Sequence, residues 1–315
     1  MAASAGPSPE PLSSATELRI AAPDGQTAPA LPAYPDQPPG HIPGPVTMPG
    51  QEGFEVGIPN VARVYNVWLG GKDNFHVDRQ AAKRVERSRP EVVAGARANR
   101  AFLARAVRYL AAERGIGQFL DIGPGLPAPG NTHEVAQAIA PDSRVVYADN
   151  DPMVISHARA LLASDPRGCC AYVEADLRDP VVVLHEARRT LDFSRAVAVL
   201  LVAVLHFVPD AEDPAGIVEE LADALAEGSC IVISHLTADF APQQVSSGVA
   251  AYNTLVPAGI TARSHAQVTA LFGGLSLVPP GIVPVAEWRP VMGYHPQPAD
   301  MYAGVAVTGS RGWTL

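Results

Sequence analysis

From residue 118 onward the chain alternates short apolar runs with segments whose apolar residues recur at helical spacing. Apolar runs over 118–122, 144–148, 170–174, 196–205 and 229–234 predict buried strands. Between them, residues 131–139, 152–164, 181–190 and 213–226 predict helices. Strand and helix in regular alternation imply a parallel sheet covered on both faces. A polar region interrupted by Gly and Pro follows, with a helix over 264–272. Two last strands are expected at 275–278 and 302–308, giving seven in all. The connection between them is long and proline-rich and holds Trp288 and Tyr294.

The residues before this alternation read differently. Ordered sequence is expected from about Phe54. Asn60 is placed to cap a helix on which Val61, Val64, Tyr65 and Trp68 share one face, and Gly70-Gly71 stops it. Lys72-Asp73-Asn74-Phe75-His76 forms a polar turn. A charged helix is expected over 77–89. A longer one is expected over 90–114, with Val93, Ala96, Phe102, Leu103, Val107 and Leu110 as its buried positions. Residues 1–52 are rich in Pro, Ala, Gly and Ser and hold about a dozen of the 31 prolines. Such a stretch buries too little apolar surface to offset its ordering entropy, so a disordered tail is expected. The three segments are therefore 1–52 (tail), 53–115 (helical) and 116–315 (sheet domain).

Composition narrows the function classes. A hydrophobic content of 47% over 315 residues supports a sizeable core. The net charge of −9 argues against charge-driven nucleic-acid binding. Three cysteines, two of them adjacent (Cys169, Cys170), provide neither a disulfide framework nor metal-ligand spacing, and a cytoplasmic setting is expected. No apolar run approaches the roughly 20 residues of a membrane span. His76, His133, His206 and His235 also lack metal spacing, so no metal is expected.

The candidate chemistry sits where the strands end. In open α/β sheets, ligands bind beyond the carboxyl ends of the strands. The first strand runs into Asp121-Ile122-Gly123-Pro124-Gly125, whose glycines permit positive φ and close approach of a bulky ligand. Asp149, ending the second strand, can accept both hydroxyl protons of a ribose. Asp176, ending the third, can accept an amine proton from adenine, with the Leu177 backbone beside the ring. Gly123-x-Gly125-x-x-Ala128 also fits the nicotinamide-dinucleotide pattern, so an NAD(P)-dependent oxidoreductase is the rival. Asp121 would repel a pyrophosphate and attract a sulfonium or ammonium group. Pro124, Pro127 and Pro129 disfavour a helix starting directly after the glycines.

This glycine turn with acids after strands two and three resembles the class I S-adenosylmethionine-dependent methyltransferase pattern. The run from Ala62 to Phe75, with its Gly70-Gly71-Lys72-Asp73-Asn74-Phe75, is similar to the signature of a bacterial family of such methyltransferases with unassigned substrates. Residues 97–103, 118–127, 131–135 and 147–152 and Glu287-Trp288-Arg289-Pro290 match the same family. This chain has Asn66-Val67 where the family usually has Asp-Tyr, and Gly123-Pro124-Gly125 where it usually has Gly-Thr-Gly. The resemblance implies an α/β Rossmann-like fold: a seven-stranded, mostly parallel sheet, helices on both faces and an N-terminal helical cap. It implies S-adenosyl-L-methionine as cofactor, S-adenosyl-L-homocysteine as product and a small-molecule acceptor, with no nucleic-acid or membrane partner.

Cofactor contacts are then expected from Asp121, Gly123, Gly125, Asp149, Asp176 and Leu177. The helical segment would cover the cofactor, and Tyr65, Lys72, Asp73, Asn74, His76 and His235 are the candidate pocket residues. His206 and Tyr65 are the candidate proton acceptors; His206 could equally be a core or capping histidine. His133 and Glu134 either cap a helix or meet the cofactor's amino-acid end. Arg97, Asn99 and Arg100 lie either on an exposed face or at the site. A non-catalytic protein that senses the cofactor is the remaining alternative.

Overall fold

The computed structural model describes residues 56–161, 164–290 and 299–309. The expectations for residues 1–52 and for Tyr294 lie outside them. The strands are β1 Gln118–Ile122, β2 Arg144–Asp149, β3 Cys169–Glu174, β4 Ala198–Val202, β5 Cys230–Leu236, β6 Ser276–Leu277, β7 Val283–Pro284 and β8 Met301–Val307. The helices are α1 Val61–Trp68, α2 His76–Ser88, α3 Val92–Ala112, α4 Thr132–Gln137, α5 Pro152–Leu161, α6 Pro180–Ala187, α7 Pro214–Asp223, α8 Pro242–Asn253 and α9 His265–Ala270.

The sheet order is β3-β2-β1-β4-β5-β8-β6, with β7 also paired to β8. β1 to β5 run parallel, and β8 is antiparallel to β5, from Cys230 opposite Val307 to Leu236 opposite Met301. β6 meets β8 at Val307 and Ala306, and β7 meets it at Ala303 and Tyr302. These two short strands thus sit end to end on one side of β8, so the sheet has the seven positions expected. This is the α/β Rossmann-like arrangement expected, preceded by helices α1 to α3.

Two-residue alternation divides the core. Leu120, Ile122, Val146, Val199, Leu201, Ile231 and Ile233 point to one face and pack with α6, α7 and α9. Phe119, Val145, Tyr147, Leu200 and Val232 point to the other and pack with α3 and α4. Trp288 is fully buried on this second face, its ring edge-on to Phe102 (5.4 Å) and Tyr109 (5.7 Å) of α3. Arg289 beside it lies over Tyr109 at 3.9 Å, a cation–π contact. The Glu287–Pro290 run is therefore a packing motif. A separate cluster joins α1, α2, the start of α3 and α8 through Val64, Trp68, Val85, Val92 and Tyr252.

Two expectations change. The fourth strand stops at Val202, because Ala203 adopts φ 57, a left-handed backbone that ends the strand; Leu205–Phe207 then forms a 3-10 turn carrying His206. Helix α8 lies in the stretch read as irregular. Its Gln, Ser and Gly residues have low apolar periodicity, yet Val245, Gly248 and Tyr252 form a buried stripe. Gly248 admits the side chain of Arg89, the residue that follows α2, so closely that a Cβ there would stand 3.1 Å from Arg89 Cβ. Among the described residues no helix is long and apolar enough to cross a membrane, and no group of acids, histidines and cysteines is placed to hold a metal.

Candidate active site

The strand order reverses between β1 and β4, the point at which α/β sheets open a crevice for ligands. A cavity of about 160 Å³ lies there, bounded by the Gly123–Gly125 turn, the ends of β2, β3 and β4, and residues of α1 and α3. Asp121, Gly123, Gly125, Asp149, Asp176, Leu177 and Tyr65 all line it. Residues spread over more than a hundred positions of sequence are thereby brought to one place.

The turn is built by backbone conformation. Gly123 and Gly125 both adopt left-handed φ, 70 and 67. A Cβ on Gly123 would lie 2.5 Å from Val204 Cγ2, so this position needs glycine for space as well as for conformation. The Gly125 N–H donates to Asp149 Oδ2 (3.2 Å) and the Asp151 N–H to Asp149 Oδ1 (3.0 Å), which ties the first turn to the end of β2. Asp121 Oδ2 accepts from Thr132 Oγ1 at 2.6 Å. Asn150 Nδ2 and the Arg178 N–H both donate to Asp176 (each 2.9 Å).

Burial sets the electrostatics. It lifts the Asp121 carboxyl to about 6, against the pull of Thr132 and Arg100. It lifts Asp149 to about 6 as well, despite the two N–H donors. Asp176 is only half-buried. Burial raises it too, but the hydrogen bonds and charge of Arg178 and Asn150 outweigh that and hold it below the usual carboxylate range. Two carboxylates strained toward neutrality by desolvation make the cavity receptive to a cationic ligand.

A second cavity, of about 70 Å³, adjoins the first and shares Val61, Tyr65, Ala203 and Phe207 with it. Trp68, Tyr252 and His206 stand in its wall. Its charged member, Arg89, is paired with buried Asp300 (Nε to Oδ2, 3.0 Å). Between the cavities runs a hydrogen-bonded chain. Tyr65 Oη donates to Ala96 O (3.1 Å) and accepts from Asn99 Nδ2 (3.0 Å); Ser234 Oγ donates to Asn99 Oδ1 (2.6 Å) and accepts from the Ala203 N–H (2.9 Å). The chain accounts for the left-handed Ala203 being held in place, because its N–H is fixed by β5.

Tyr65 is thus engaged as a donor, and burial raises its pKa above the ordinary phenol value. His206 lines only the second cavity, and its Nδ1 has no hydrogen-bond partner among the described residues. Burial, with His235, Arg263 and Arg89 nearby, drives its pKa well below the usual imidazole range, so the ring stays neutral.

The other expected pocket residues lie elsewhere. His235 is fully buried and lines neither cavity; its Nδ1 contacts Leu236 O (2.8 Å) and its Nε2 faces the Arg263 guanidinium (2.7 Å). Burial lowers its pKa to about 4. Lys72, Asp73, Asn74 and His76 line neither cavity, and Lys72 and His76 are exposed. Their loop serves as a clasp between α1 and α2. Asn74 Nδ2 donates to Asn66 Oδ1 (2.8 Å) and Gly71 O (3.0 Å). A Cβ on Gly71 would come within 2.2 Å of Asn66 Nδ2, which explains the second glycine. Arg63 Nε binds Asp78 Oδ2 at 2.8 Å in full burial, and the Phe75 N–H donates to the same oxygen. Phe75 then packs with Ala62, Leu126 and Met153, so the motif seats α1 against the loops after β1 and β2.

Arg100 and Asn99 line the first cavity, whereas Arg97 is exposed. Arg100 Nη2 lies 3.2 Å from Gly130 O, with its charge near Asp121. Glu134 caps the start of α4, accepting from the Gly130 N–H (2.8 Å), and His133 is buried against Tyr147. Arg178 and Ala203 also line the first cavity, and neither carried a signal in sequence. The sole advance sign of Arg100 was a polar triplet at helical spacing with two readings.

A family model described as S-adenosyl methyltransferase matches residues 49–309. The crystal structure of a DUF574 family protein from Streptomyces avermitilis MA-4680 is 44% identical, with a TM-score of 0.77 over 80% of this chain and 98% of that one. The structure of a candidate methyltransferase from Thermobifida fusca YX is 40% identical, with a TM-score of 0.74 over 80% of this chain and 96% of that one. No curated protein matches the chain.

Proposed function

The chain belongs to the S-adenosyl methyltransferase family, and on that premise we propose that its 160 Å³ cavity binds S-adenosylmethionine for methyl transfer to a small-molecule acceptor entering from the second cavity. One observation carries this reading. The glycine turn and three strand-end acids line one cavity, where a carboxylate stands in the place a phosphate site would need a donor. The residues suit the cofactor in charge, because the buried acids favour a cation.

The bound cofactor supplies an electrophilic methyl group on a positively charged sulfur. In this assignment, Asp149 accepts from the ribose hydroxyls, and Asp176 with the Leu177 backbone meets the adenine. Asp121 faces the cationic end, and Arg100 binds the carboxylate of the amino-acid end. Helices α1 and α2 form a cap over this site, held by the Gly70–His76 clasp, and Val61, Ala62 and Tyr65 present its inner surface. Alignment of donor and acceptor then accounts for much of the rate. Tyr65 positions the throat through its link to Ala203, and its hydroxyl is already engaged as a donor to Ala96 O.

The reading disfavours a nicotinamide cofactor. Helix α4 begins only at Thr132, well past the glycines, and has just six residues, so no helix N-terminus is set for a pyrophosphate. Calorimetry with S-adenosylhomocysteine and with NADPH tests the assignment. Micromolar binding of the first and no heat from the second is expected. Tight NADPH binding without S-adenosylhomocysteine heat would overturn it.

A further inference from the structure

Resting on the reading that the acceptor enters from the second cavity, we propose that this cavity holds a neutral carbonyl group of the acceptor, its oxygen accepting from the Arg89 guanidinium in a gap kept open by Gly95. Gly95 lies near the start of α3, on helical backbone, and is buried. Glycine weakens a helix interior relative to alanine. Neither conformation nor packing calls for it here. Beyond its chain neighbours and its own helix backbone, a Cβ on Gly95 would meet one atom within 4 Å among the described residues, Arg89 Nη2 at 3.9 Å, which is an ordinary contact. A buried position with room for a side chain borders a cavity, and the one that Gly95 lines is the second. The gap stands beside the throat, because the next residue, Ala96, accepts the Tyr65 hydroxyl at its carbonyl oxygen (3.1 Å).

Arg89 sets the chemistry of the gap. Its side chain is 8% exposed and lines the same cavity. Nε donates to Asp300 Oδ2 (3.0 Å), whereas the two Nη groups make no hydrogen bond among the described residues, and Nη2 is the atom that borders the gap. Buried N–H groups seldom go without an acceptor. The wall is otherwise apolar or aromatic over Trp68, Val85, Val92, Phe207, Tyr252 and Met301.

These surroundings select among ligand groups. A guanidinium offers donors only, so its partner must accept. A carboxylate would bring a second anion to a cation that Asp300 already neutralises, and it would lose its hydration for little return. An ammonium group would meet the charge of Arg89. A hydroxyl could accept from Nη2, but it would bury its own O–H against an apolar wall. A neutral carbonyl oxygen accepts and leaves no donor behind. The chamber, about 70 Å³, is under half the roughly 150 Å³ that takes benzene, so it admits a group of a few heavy atoms. The rest of the acceptor, with the atom to be methylated, extends through the throat between Tyr65, Ala203 and Phe207 toward the first cavity.

The test uses the full chain. S-adenosylhomocysteine binding is measured first by calorimetry. With that ligand saturating the first cavity, 2-butanone, 2-butanol, propionate and 2-butylamine, probes of similar size, are titrated by saturation-transfer NMR. The Kd of 2-butanone is expected to lie at least about tenfold below those of the other three. Gly95→Ala, which fills the gap, is expected to weaken 2-butanone at least about tenfold, with the urea midpoint equal or raised and the S-adenosylhomocysteine Kd within about threefold. Arg89→Lys keeps a cation beside Asp300 but loses the planar fork, and it is expected to abolish the preference for 2-butanone over 2-butanol. No binding of 2-butanone, equal or tighter binding of any other probe, an affinity unmoved by Gly95→Ala, a lowered midpoint in that variant, or a preference that survives Arg89→Lys each overturns the proposal. Absence of S-adenosylhomocysteine binding overturns the reading beneath it, and the first measurement tells the two failures apart.

Discussion

Gly123→Ala probes the turn on which the site depends. Two effects act at once. An L-residue at φ 70 lies in the left-handed region, which costs roughly 1–2 kcal/mol. The new methyl would also sit 2.5 Å from Val204 Cγ2, well inside contact distance, and overpacking of this kind costs roughly 1–3 kcal/mol. The substitution is therefore expected to destabilise the protein by about 2–5 kcal/mol, read as a shift of the urea midpoint at constant m. Val204→Ala removes the clashing carbon and leaves the backbone cost. In the double-mutant cycle, a favourable coupling of about 1–3 kcal/mol between the two sites is expected. S-adenosylhomocysteine affinity should fall in Gly123→Ala and recover in part in the double mutant, because Val204 lines the same cavity. An unchanged urea midpoint for Gly123→Ala, or zero coupling with Val204→Ala, would refute the geometry of the turn.

Three further outcomes are expected. Asp149→Ala should weaken S-adenosylhomocysteine binding more than tenfold by calorimetry, about 1.4 kcal/mol or above, through loss of the ribose acceptor and of the tether to the Gly125 N–H. Arg100→Met should raise the S-adenosylhomocysteine Kd about tenfold, on the order of 1.4 kcal/mol, yet leave adenosine binding within threefold, since Arg100 is assigned to the amino-acid end. The third concerns pH. Asp121 and Asp149 stand at about 6 in the folded state, above the roughly 3.9 of an unfolded Asp, so the folded state binds these protons more tightly. Their stabilising contribution, on the order of 3 kcal/mol each, is full below about pH 4 and lost as pH rises through about 6. Asp121→Asn should remove its share of that slope in urea titrations between pH 4 and 7. S-adenosylhomocysteine affinity should rise from pH 5 to pH 7 as the two carboxylates ionise.

Much of the first cavity is legible in the sequence because its determinants are local. A buried strand announces itself by its apolar run. The residues that end β1, β2 and β3 follow directly, so Asp121, Asp149 and Asp176 could be assigned to one rim before their distances were known. Left-handed backbone at Gly123 and Gly125 is a property of the residue type. The Gly70–His76 run, whose polar residues line neither cavity, shows the limit of such local reading. Its polar residues look like pocket chemistry in one dimension. Asn74 is bonded to Asn66, and Asp78 just beyond the run takes both Arg63 and the Phe75 N–H, so the run is a clasp.

By itself, the order of residues determined the parallel sheet, the strand ends, the glycine turn and the acids that follow the strands. Each depends on side-chain periodicity or on a residue's own conformational freedom. The tertiary structure alone decided that His206 faces a second cavity while His235 is sealed by Arg263, that Ala203 ends β4, and that Arg100 turns inward. The second cavity draws Trp68, Arg89, Tyr252 and Met301 from α1, the residues after α2, α8 and β8. In sequence nothing marks these four as neighbours. Only their packing leaves a space between them.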